Sequence, residues 1–333
     1  MATLVRAAAL AHFFEVAQSH GLNTQPLLQQ VGLSRALLAD SEQRIPAEAA
    51  VGLLEAAAQA SGCLQFGLCM AESRQLSDFG VLSLLISHQR SLRDALTSTI
   101  QYRHLLNDSL AMQIEDAGPM AMLRYEVVAQ GPVRQANELA IGVLFRMCAA
   151  VLGQAWKPIS VNFTHSAPPE LAHYRRLFSC RTEFGSDFNG IVCRAADLDA
   201  PNPGADPSMA RYAQRFIENS PCINERSVAL DVHKAIYLLL PSGRASSDYV
   251  AQSLGLSVRT MQRHLDEAGV SFTAVINEVR RELAQRYIDN PRHSLVRVSE
   301  LLGYSTQSSF TRWFIAQFGM APQQWRQGGR PTP

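Results

Sequence analysis

The sequence has no uninterrupted apolar stretch of about 18 residues, the length that a membrane-spanning helix needs. Its apolar N-terminus includes His12 and Glu15 and shows no small-residue cleavage site. We therefore expect no membrane span, no signal peptide and no membrane partner. An apolar fraction of 47% and a charged fraction of 18% are typical of a globular protein, and 333 residues suffice for two domains.

The six cysteines include no Cys-x-x-Cys pair; they are Cys63, Cys69, Cys148, Cys180, Cys193 and Cys222. The spacing typical of zinc knuckles and dithiol redox sites is therefore absent. Scattered thiols fit a reducing cytoplasm, where they pack as small apolar residues, so we expect no metal and no cofactor. His165 and His173 have no carboxylate or cysteine at metal-ligand spacing, and we interpret them as ordinary surface or hydrogen-bonded histidines.

Lysine is missing from the last third of the chain. Residues 243–333 contain 11 arginines and 7 acidic residues, giving +4, whereas residues 1–205 contain 15 basic and 18 acidic residues, giving −3. Arginine can bind phosphate and guanine through two parallel hydrogen bonds, which lysine cannot. This asymmetry indicates a polyanionic partner at the C-terminal end.

The same third contains an internal repeat. Val, Leu, Gly and Ser of Val250–Ser257 recur in Val298–Ser305 at a constant offset of 48 residues. In each copy the glycine can end one helix in the left-handed conformation, and the serine can cap the next helix. Two helices joined by a short turn with glycine form a helix-turn-helix motif, so the repeat predicts two such units.

The second helix of each unit has two different faces. In the first unit Met261 and Leu265 form the inward stripe, and arginine and glutamine lie opposite. In the second unit three phenylalanines form that stripe, at positions 310, 314 and 318. Between the units, residues 273–290 predict a helix that Thr273 begins and Asn290-Pro291 ends. At ~1.5 Å per residue this rod spans ~25 Å and could hold the units in two adjacent major grooves of one duplex.

These residues carry a resemblance. Leu302-Gly-Tyr-Ser305, Ser309–Phe314, Gly319, Pro322 and Trp325-Arg326 resemble the DNA-binding domain of the AraC/XylS family of bacterial regulators. The resemblance implies double-stranded DNA as a partner and RNA polymerase as a further one. The base-reading residues that it implies are Arg259, Gln262 and Arg263 in the first unit, and Gln307, Ser308, Thr311 and Arg312 in the second.

The N-terminal part predicts an α+β domain with helices and a small, mostly antiparallel sheet. Helices are expected within residues 1–100 and 137–152, a strand-turn-strand over 109–130 and a strand over 159–163. Residues 182–184 and 190–193 are predicted to pair around the turn Asp187–Gly190.

This part resembles the arabinose-binding-type effector domain of AraC regulators. The residues that carry the resemblance are Phe163-Thr-His165, Pro168, Tyr174, Phe178, Phe184, Asn189 and the segment 198–206. It implies a small-molecule effector and a homodimer. No pocket residue is identified, because core packing explains the polar and aromatic candidates equally well: Tyr102, His104, Arg124 and Tyr125.

We predict an effector and dimerisation domain over residues 1–205, a helical connector over 206–242 and an all-α domain of two helix-turn-helix units joined by a helix over 243–327. The favoured function is that of a non-enzymatic, ligand-controlled transcription regulator. Two alternatives stay open: a DNA-repair-type enzyme fused to a DNA-binding module, and a regulator whose N-terminal domain only dimerises. Repair chemistry would need an activated cysteine beside a zinc-binding cysteine cluster.

Overall fold

The computed structural model describes residues 3–219, 227–290 and 292–327. The chain divides into two compact units, Met1–Arg226 and Ser227–Pro333. The predicted connector, 206–242, thus contains one helix of each unit, Pro207–Glu218 and Val228–Leu239, and the division falls inside it rather than at residue 205.

The described part of the first unit has ten α-helices and three short 3-10 helices, at Ala7–Leu10, Leu76–Phe79 and Arg103–Leu105. The α-helices are α1 (Phe13–Ser19), α2 (Thr24–Gln30), α3 (Ala47–Ser61), α4 (Phe66–Ser73), α5 (Val81–Ser87), α6 (Leu92–Gln101), α7 (Arg134–Leu152), α8 (Ala172–Phe178), α9 (Ala195–Leu198) and α10 (Pro207–Glu218). Their apolar faces and the inner face of the sheet form one continuous core.

The sheets of this unit comprise β1 (Leu4–Arg6) with β2 (Arg44–Pro46), and a five-stranded sheet of β3 (Leu110–Ala117), β4 (Met120–Val127), β5 (Ser160–Phe163), β6 (Arg181–Phe184) and β7 (Gly190–Arg194). The order in the larger sheet is β3-β4-β7-β5-β6. Only β5 and β6 pair in parallel, so the prediction of a mostly antiparallel sheet is confirmed.

Two local expectations were wrong. Strands β6 and β7 do not pair with each other, because β5 lies between them. The small sheet of β1 and β2 was missed within residues 1–100, since three-residue strands are too short to show an alternating pattern. The predicted hairpin over 109–130 is confirmed as β3 and β4.

The core of the first unit centres on the crossing of α4 and α7. Gly67 and Gly142 allow the two helices to approach closely. A Cβ at Gly67 would lie 2.0 Å from the carbonyl oxygen of Gln135, and one at Gly142 would lie 2.4 Å from the Cβ of Ala71. Helix α7 is long and apolar enough to cross a membrane by composition, but 72% of that stretch is buried inside the unit, as in a core helix.

The described part of the second unit is helical. It consists of α11 (Val228–Leu239), α12 (Ser247–Ser253), α13 (Val258–Glu267), α14 (Phe272–Ile288), α15 (Leu295–Leu301), α16 (Gln307–Phe318) and α17 (Pro322–Arg326), with a 3-10 turn at Leu240–Ser242. Helix α11 packs on α12, α13 and α14, while α15 packs on α14 and α16. The two predicted helix pairs are thus α12–α13 and α15–α16, with α14 between them.

Candidate functional site

The first helix pair has the predicted turn. Helix α12 ends before Gly255, whose φ of +68° lies in the left-handed region that favours glycine. Ser257 then caps α13 by accepting a hydrogen bond from the backbone N–H of Thr260 at 3.1 Å, which confirms the predicted cap. Met261 and Leu265 are fully buried, so one face of α13 is fixed against the unit.

The opposite face of α13 is open to solvent. All three residues proposed to read bases on this helix, Arg259, Gln262 and Arg263, are exposed. Arg263 Nε lies 3.6 Å from Glu267 Oε1, but both side chains are more than half exposed. Because exposed ion pairs of this kind are weak, the guanidinium can leave Glu267 to bind another acceptor.

The second helix pair repeats this arrangement with one difference. Gly303 has φ of +73°, and Phe310 and Phe314 are fully buried. The cap of α16 is Thr306, which accepts from the backbone N–H of Ser309 at 3.2 Å, and not Ser305 as predicted. The second turn is one residue longer than the first, which moves the cap forward by one position.

The residues proposed to read bases on α16 lie near its start. Gln307, Ser308 and Arg312 are exposed, and Thr311 is half-buried. All seven candidate side chains are therefore at least partly accessible to solvent. Three lie on α13 and four on α16, which are the second helices of the two pairs.

The spacer helix α14 begins after Ser271, which caps it by accepting from Ala274 N at 3.1 Å; Thr273, the predicted cap, lies inside the helix. Arg280 connects this helix to the second pair. Its Nε donates to the carbonyl oxygen of Leu302 at 3.1 Å, and its guanidinium lies 4.7 Å from the centre of the Tyr304 ring.

Other arginines of this unit are also internal. Arg326 donates to the carbonyl oxygens of Ile288 and His293 at 3.0 and 2.9 Å, which ties α17 to the end of the spacer. Arg286 donates to Tyr237 Oη at 3.3 Å. The composition of the last third thus overstates the number of arginines that are free to bind a partner, and no local pattern could show this, because Arg280 and Leu302 are 22 residues apart.

In the first unit, residues that carry the family resemblance bind buried carboxylates. Glu138 on α7 is fully buried, and its Oε1 accepts from Tyr174 Oη at 2.6 Å and from Arg134 Nε at 2.9 Å. His165 Nε2 lies 3.1 Å from the same oxygen, so the fold places beside it a carboxylate that the sequence spacing did not indicate. Burial raises the pKa of Tyr174, so this phenol stays protonated and donates.

A second buried carboxylate, that of Glu126, connects the sheet to α7. Glu126 accepts from Asn137 Nδ2 at 2.7 Å and from Asn189 Nδ2 at 2.8 Å, and Asn189 Oδ1 accepts from Thr164 N at 2.9 Å. These bonds connect β4, α7, the end of β5 and the segment before β7. These motif residues therefore connect the helices and the sheet of the domain.

One cavity of this unit has a volume of about 530 Å³. Phe145, Trp156 and Phe178 supply aromatic surface to it. Around them stand four basic side chains and one acidic one: Arg74, Arg146, Lys157 and Arg176, and Glu72. The cavity therefore combines an apolar lining with positive charge, and its size falls within the range of ~300–1,000 Å³ usual for small-molecule sites.

Two of these basic groups can bind an anion without losing a protein partner. Arg146 Nε donates to the carbonyl oxygen of Arg74 at 2.6 Å, and among the described residues its two terminal nitrogens have no partner. Lys157 is exposed and, within the same residues, makes no hydrogen bond. Arg176, by contrast, is engaged by Glu72 at 2.7 Å.

The four candidates left open by the sequence do not converge on this cavity. Tyr125 lines a separate, smaller cavity of about 120 Å³, and Tyr102 Oη donates to Glu218 at 3.2 Å. Arg124 Nε is 3.0 Å from Glu115 Oε2, and His104 offers its backbone carbonyl oxygen to Arg44. Each of these four residues thus has a contact within the unit, and none of them lines the 530 Å³ cavity.

Two cysteines that the sequence left unpaired lie side by side. Cys63 Sγ and Cys69 Sγ are 3.9 Å apart, and the hydrogen bond from Cys69 lowers the pKa of the Cys63 thiol to about 6. His173 Nδ1 lies 3.6 Å from Cys69 Sγ and 3.5 Å from Glu72 Oε1. The statement that His173 has neither neighbour was wrong, because the fold brings α4 and α8 together.

Comparison with known proteins gives the same division of the chain. Residues 21–202 match the family described as "Arabinose-binding domain of AraC transcription regulator, N-term", and residues 250–328 match a helix-turn-helix domain family. The HTH-type transcriptional regulator VirS of Mycobacterium tuberculosis is 26% identical over 99% of this chain and 98% of its own length.

The ornithine utilization regulator of Pseudomonas aeruginosa is 23% identical over 78% of each chain. The crystal structure of the transcriptional regulator CdpR from Pseudomonas aeruginosa aligns with 91% of this chain and 96% of its own, at 18% identity and a TM-score of 0.46. VirS and the ornithine utilization regulator are regulators by name, which favours the regulator hypothesis over that of a DNA-repair enzyme.

Proposed function

This chain belongs to the AraC family of transcription regulators with an arabinose-binding-type N-terminal domain, and we propose that it reads a specific DNA sequence by inserting α13 and α16 into two adjacent major grooves. One observation carries the proposal. Each helix buries one face in the unit and presents arginine, glutamine, serine or threonine on the exposed remainder. Such side chains can discriminate bases in the major groove.

The base-reading set consists of Arg259, Gln262, Arg263, Gln307, Ser308, Thr311 and Arg312. Helix α14 supports this proposal because its 17 residues form a rod of ~25 Å, and Arg280 and Arg326 tie the second pair to its length and its end. A rigid spacer favours simultaneous contact with two grooves, since half-sites are spaced by about one helical turn of ~34 Å.

The test is the substitution Arg263→Ala. A duplex recovered from a random pool by the wild-type protein is compared with a shuffled duplex at fixed salt concentration. We expect Arg263→Ala to lose about 1–3 kcal/mol on the selected duplex, a 5- to 150-fold weaker Kd, and to tolerate other bases at one position.

Arg281→Ala is the matched control, because Arg281 is an exposed arginine on the spacer helix. Loss of a phosphate contact there would weaken binding to both duplexes alike. If Arg263→Ala also weakens both duplexes equally, Arg263 reads no base and the proposed orientation of α13 is wrong.

We further propose that the effector is a small molecule with an apolar body and a carboxylate, bound in the 530 Å³ cavity. The terminal nitrogens of Arg146 can donate two parallel hydrogen bonds to a carboxylate, and Lys157 adds a second positive charge. The aromatic lining can cover the apolar body. Binding to the native state would stabilise it by about 2.7 kcal/mol at a hundredfold excess over Kd.

A thermal-shift experiment on the full chain tests this with aromatic and aliphatic monocarboxylates and with the corresponding amides. We expect some carboxylates, and none of their amides, to raise Tm, and Arg146→Gln to abolish the shift. Arg175→Gln is the control, since Arg175 is exposed and does not line the cavity. Equal shifts with amides would refute the anion site, and no shift with any compound would favour the ligand-independent alternative.

We also propose that the protein acts in the cytoplasm as a homodimer. Met209, Tyr212 and Phe216 form an exposed apolar stripe along α10, with Tyr212 65% and Phe216 59% accessible. A patch of this kind supports self-association. Sedimentation of Tyr212→Glu against wild type provides the test: a monomer is expected for the variant, and an unchanged dimer would place the interface elsewhere.

A further inference from the structure

We propose that the first unit contains a binding site for one zinc ion, with His20, Cys63 and Cys69 as ligands and His173 as the fourth. The ligand atoms of His20, Cys63 and Cys69 all lie within 4.8 Å of one another. Two thiols and two imidazoles form the donor set that zinc prefers in proteins.

Four separate elements bring these residues together. His20 directly follows the end of α1, and Cys63 follows Gly62, whose φ of +68° turns the chain after α3. Cys69 lies on α4 and His173 on α8. None of these pairs has a recognisable sequence spacing, which explains why the sequence indicated no metal.

Two distances within the cluster are close to tetrahedral edges. With Zn–S of ~2.3 Å and Zn–N of ~2.0–2.1 Å, ideal tetrahedral edges are ~3.8 Å between two sulfurs and ~3.6 Å between sulfur and nitrogen. The Cys63 Sγ to Cys69 Sγ distance is 3.9 Å, and the Cys69 Sγ to His173 Nδ1 distance is 3.6 Å. Both sulfurs would bind the metal as thiolates.

Neighbouring charges are compatible with this site. Arg176 currently donates to His173 Nδ1 at 2.7 Å, but it also makes two hydrogen bonds of 2.7 Å to the carboxylate of Glu72. Coordination by Nδ1 therefore requires Arg176 to give up one bond while it keeps Glu72. The thiols and His173 are only partly accessible, so a bound ion would be shielded on one side.

The experiment is a titration of the full-length protein, purified under reducing conditions and stripped of metal, with Co²⁺ and then Zn²⁺. Cobalt reports thiolate ligation through charge-transfer absorption. We expect one equivalent of Co²⁺ to develop that absorption and Zn²⁺ to displace it. Cys69→Ser should weaken Zn²⁺ binding by at least about tenfold, the lower limit of the loss seen when even outer-shell partners are removed.

Cys180→Ser is the matched control, since Cys180 is a half-buried thiol outside the cluster. It should bind cobalt as the wild type does. If the Cys69 variant does not fold, alkylation of the wild type followed by mass spectrometry gives the answer, because Zn²⁺ should protect Cys63 and Cys69 and leave the reactivity of Cys180 unchanged.

Three results would overturn the proposal. One is the absence of charge-transfer absorption, another is an unchanged spectrum in Cys69→Ser, and the third is equal alkylation with and without zinc. A Cys63–Cys69 disulfide that forms in air even at saturating Zn²⁺ would also contradict the proposal. It would assign the two thiols to redox chemistry instead.

Discussion

Replacing Arg280 by methionine is expected to loosen the second helix pair from the spacer helix. The change removes the hydrogen bond to the carbonyl oxygen of Leu302 and the contact with the Tyr304 ring. A hydrogen bond from a charged group contributes about 1.5–3 kcal/mol, and a partly exposed cation–π contact about 0.5–1 kcal/mol. Methionine keeps much of the aliphatic packing, so the expected loss is roughly 2–4 kcal/mol.

Hydrogen exchange followed by mass spectrometry can localise this loss. The amides of α15 and α16 should exchange roughly 30- to 700-fold faster if they open through release of this helix pair. Affinity for a selected duplex that spans two grooves should fall as well, although Arg280 is not among the proposed base-reading residues.

The control is Arg281→Met, which removes the same charge from the next, exposed position of α14. It should leave the exchange of α15 and α16 nearly unchanged. If both variants accelerate exchange equally, the loss of a positive charge from α14 causes the acceleration. If neither variant accelerates it, the contact with Leu302 does not hold the helix pair. Either result would refute the role assigned to Arg280.

Two further predictions concern a cap and a buried acid. Thr306→Ala should destabilise the second unit by about 1 kcal/mol in denaturant unfolding, whereas Ser305→Ala should change little, because only Thr306 caps α16. Burial raises the pKa of Glu55, which accepts a hydrogen bond from Gln135 N. The folded protein therefore loses stability as pH rises through that raised pKa, because Glu55 then becomes charged while buried. We expect Glu55→Gln to have a higher Tm than the wild type at pH 7. This difference should disappear toward pH 4, below the ordinary pKa, where Glu55 is protonated in both the folded and the unfolded state.

The helix pairs could be predicted because their signals are local. Gly255 and Ser257 lie within one turn of the helices that they end and begin, so their chemistry is readable from neighbouring residues. The errors have the same origin. Ser305 and Thr306 are adjacent, Ser271 and Thr273 are two residues apart, and within each pair the side chains are chemically similar. Only the backbone conformation selects which residue of the pair caps the helix.

Pairing across the first unit was less predictable. Strands β5, β6 and β7 were each expected near their observed positions, but β6 pairs in parallel with β5 rather than with β7. Turn residues at 187–190 indicate that the chain reverses, yet they do not specify which strand pairs with the segment that follows. The same limit applies to Cys63, Cys69 and His173, since their proximity depends on how α4 and α8 pack.

The motif residues of the first unit and the basic residues that line its 530 Å³ cavity are separate sets. Tyr174, His165 and Asn189 carry the family resemblance, and all three contact buried carboxylates that connect helices to the sheet. Arg146 and Lys157, which face the large cavity, are not among the motif residues. Substitution at a motif position would remove one partner of a buried carboxylate, whereas substitution of Arg146 or Lys157 would remove no contact of these carboxylates. The proposed effector site could therefore change without loss of the contacts that connect the helices to the sheet.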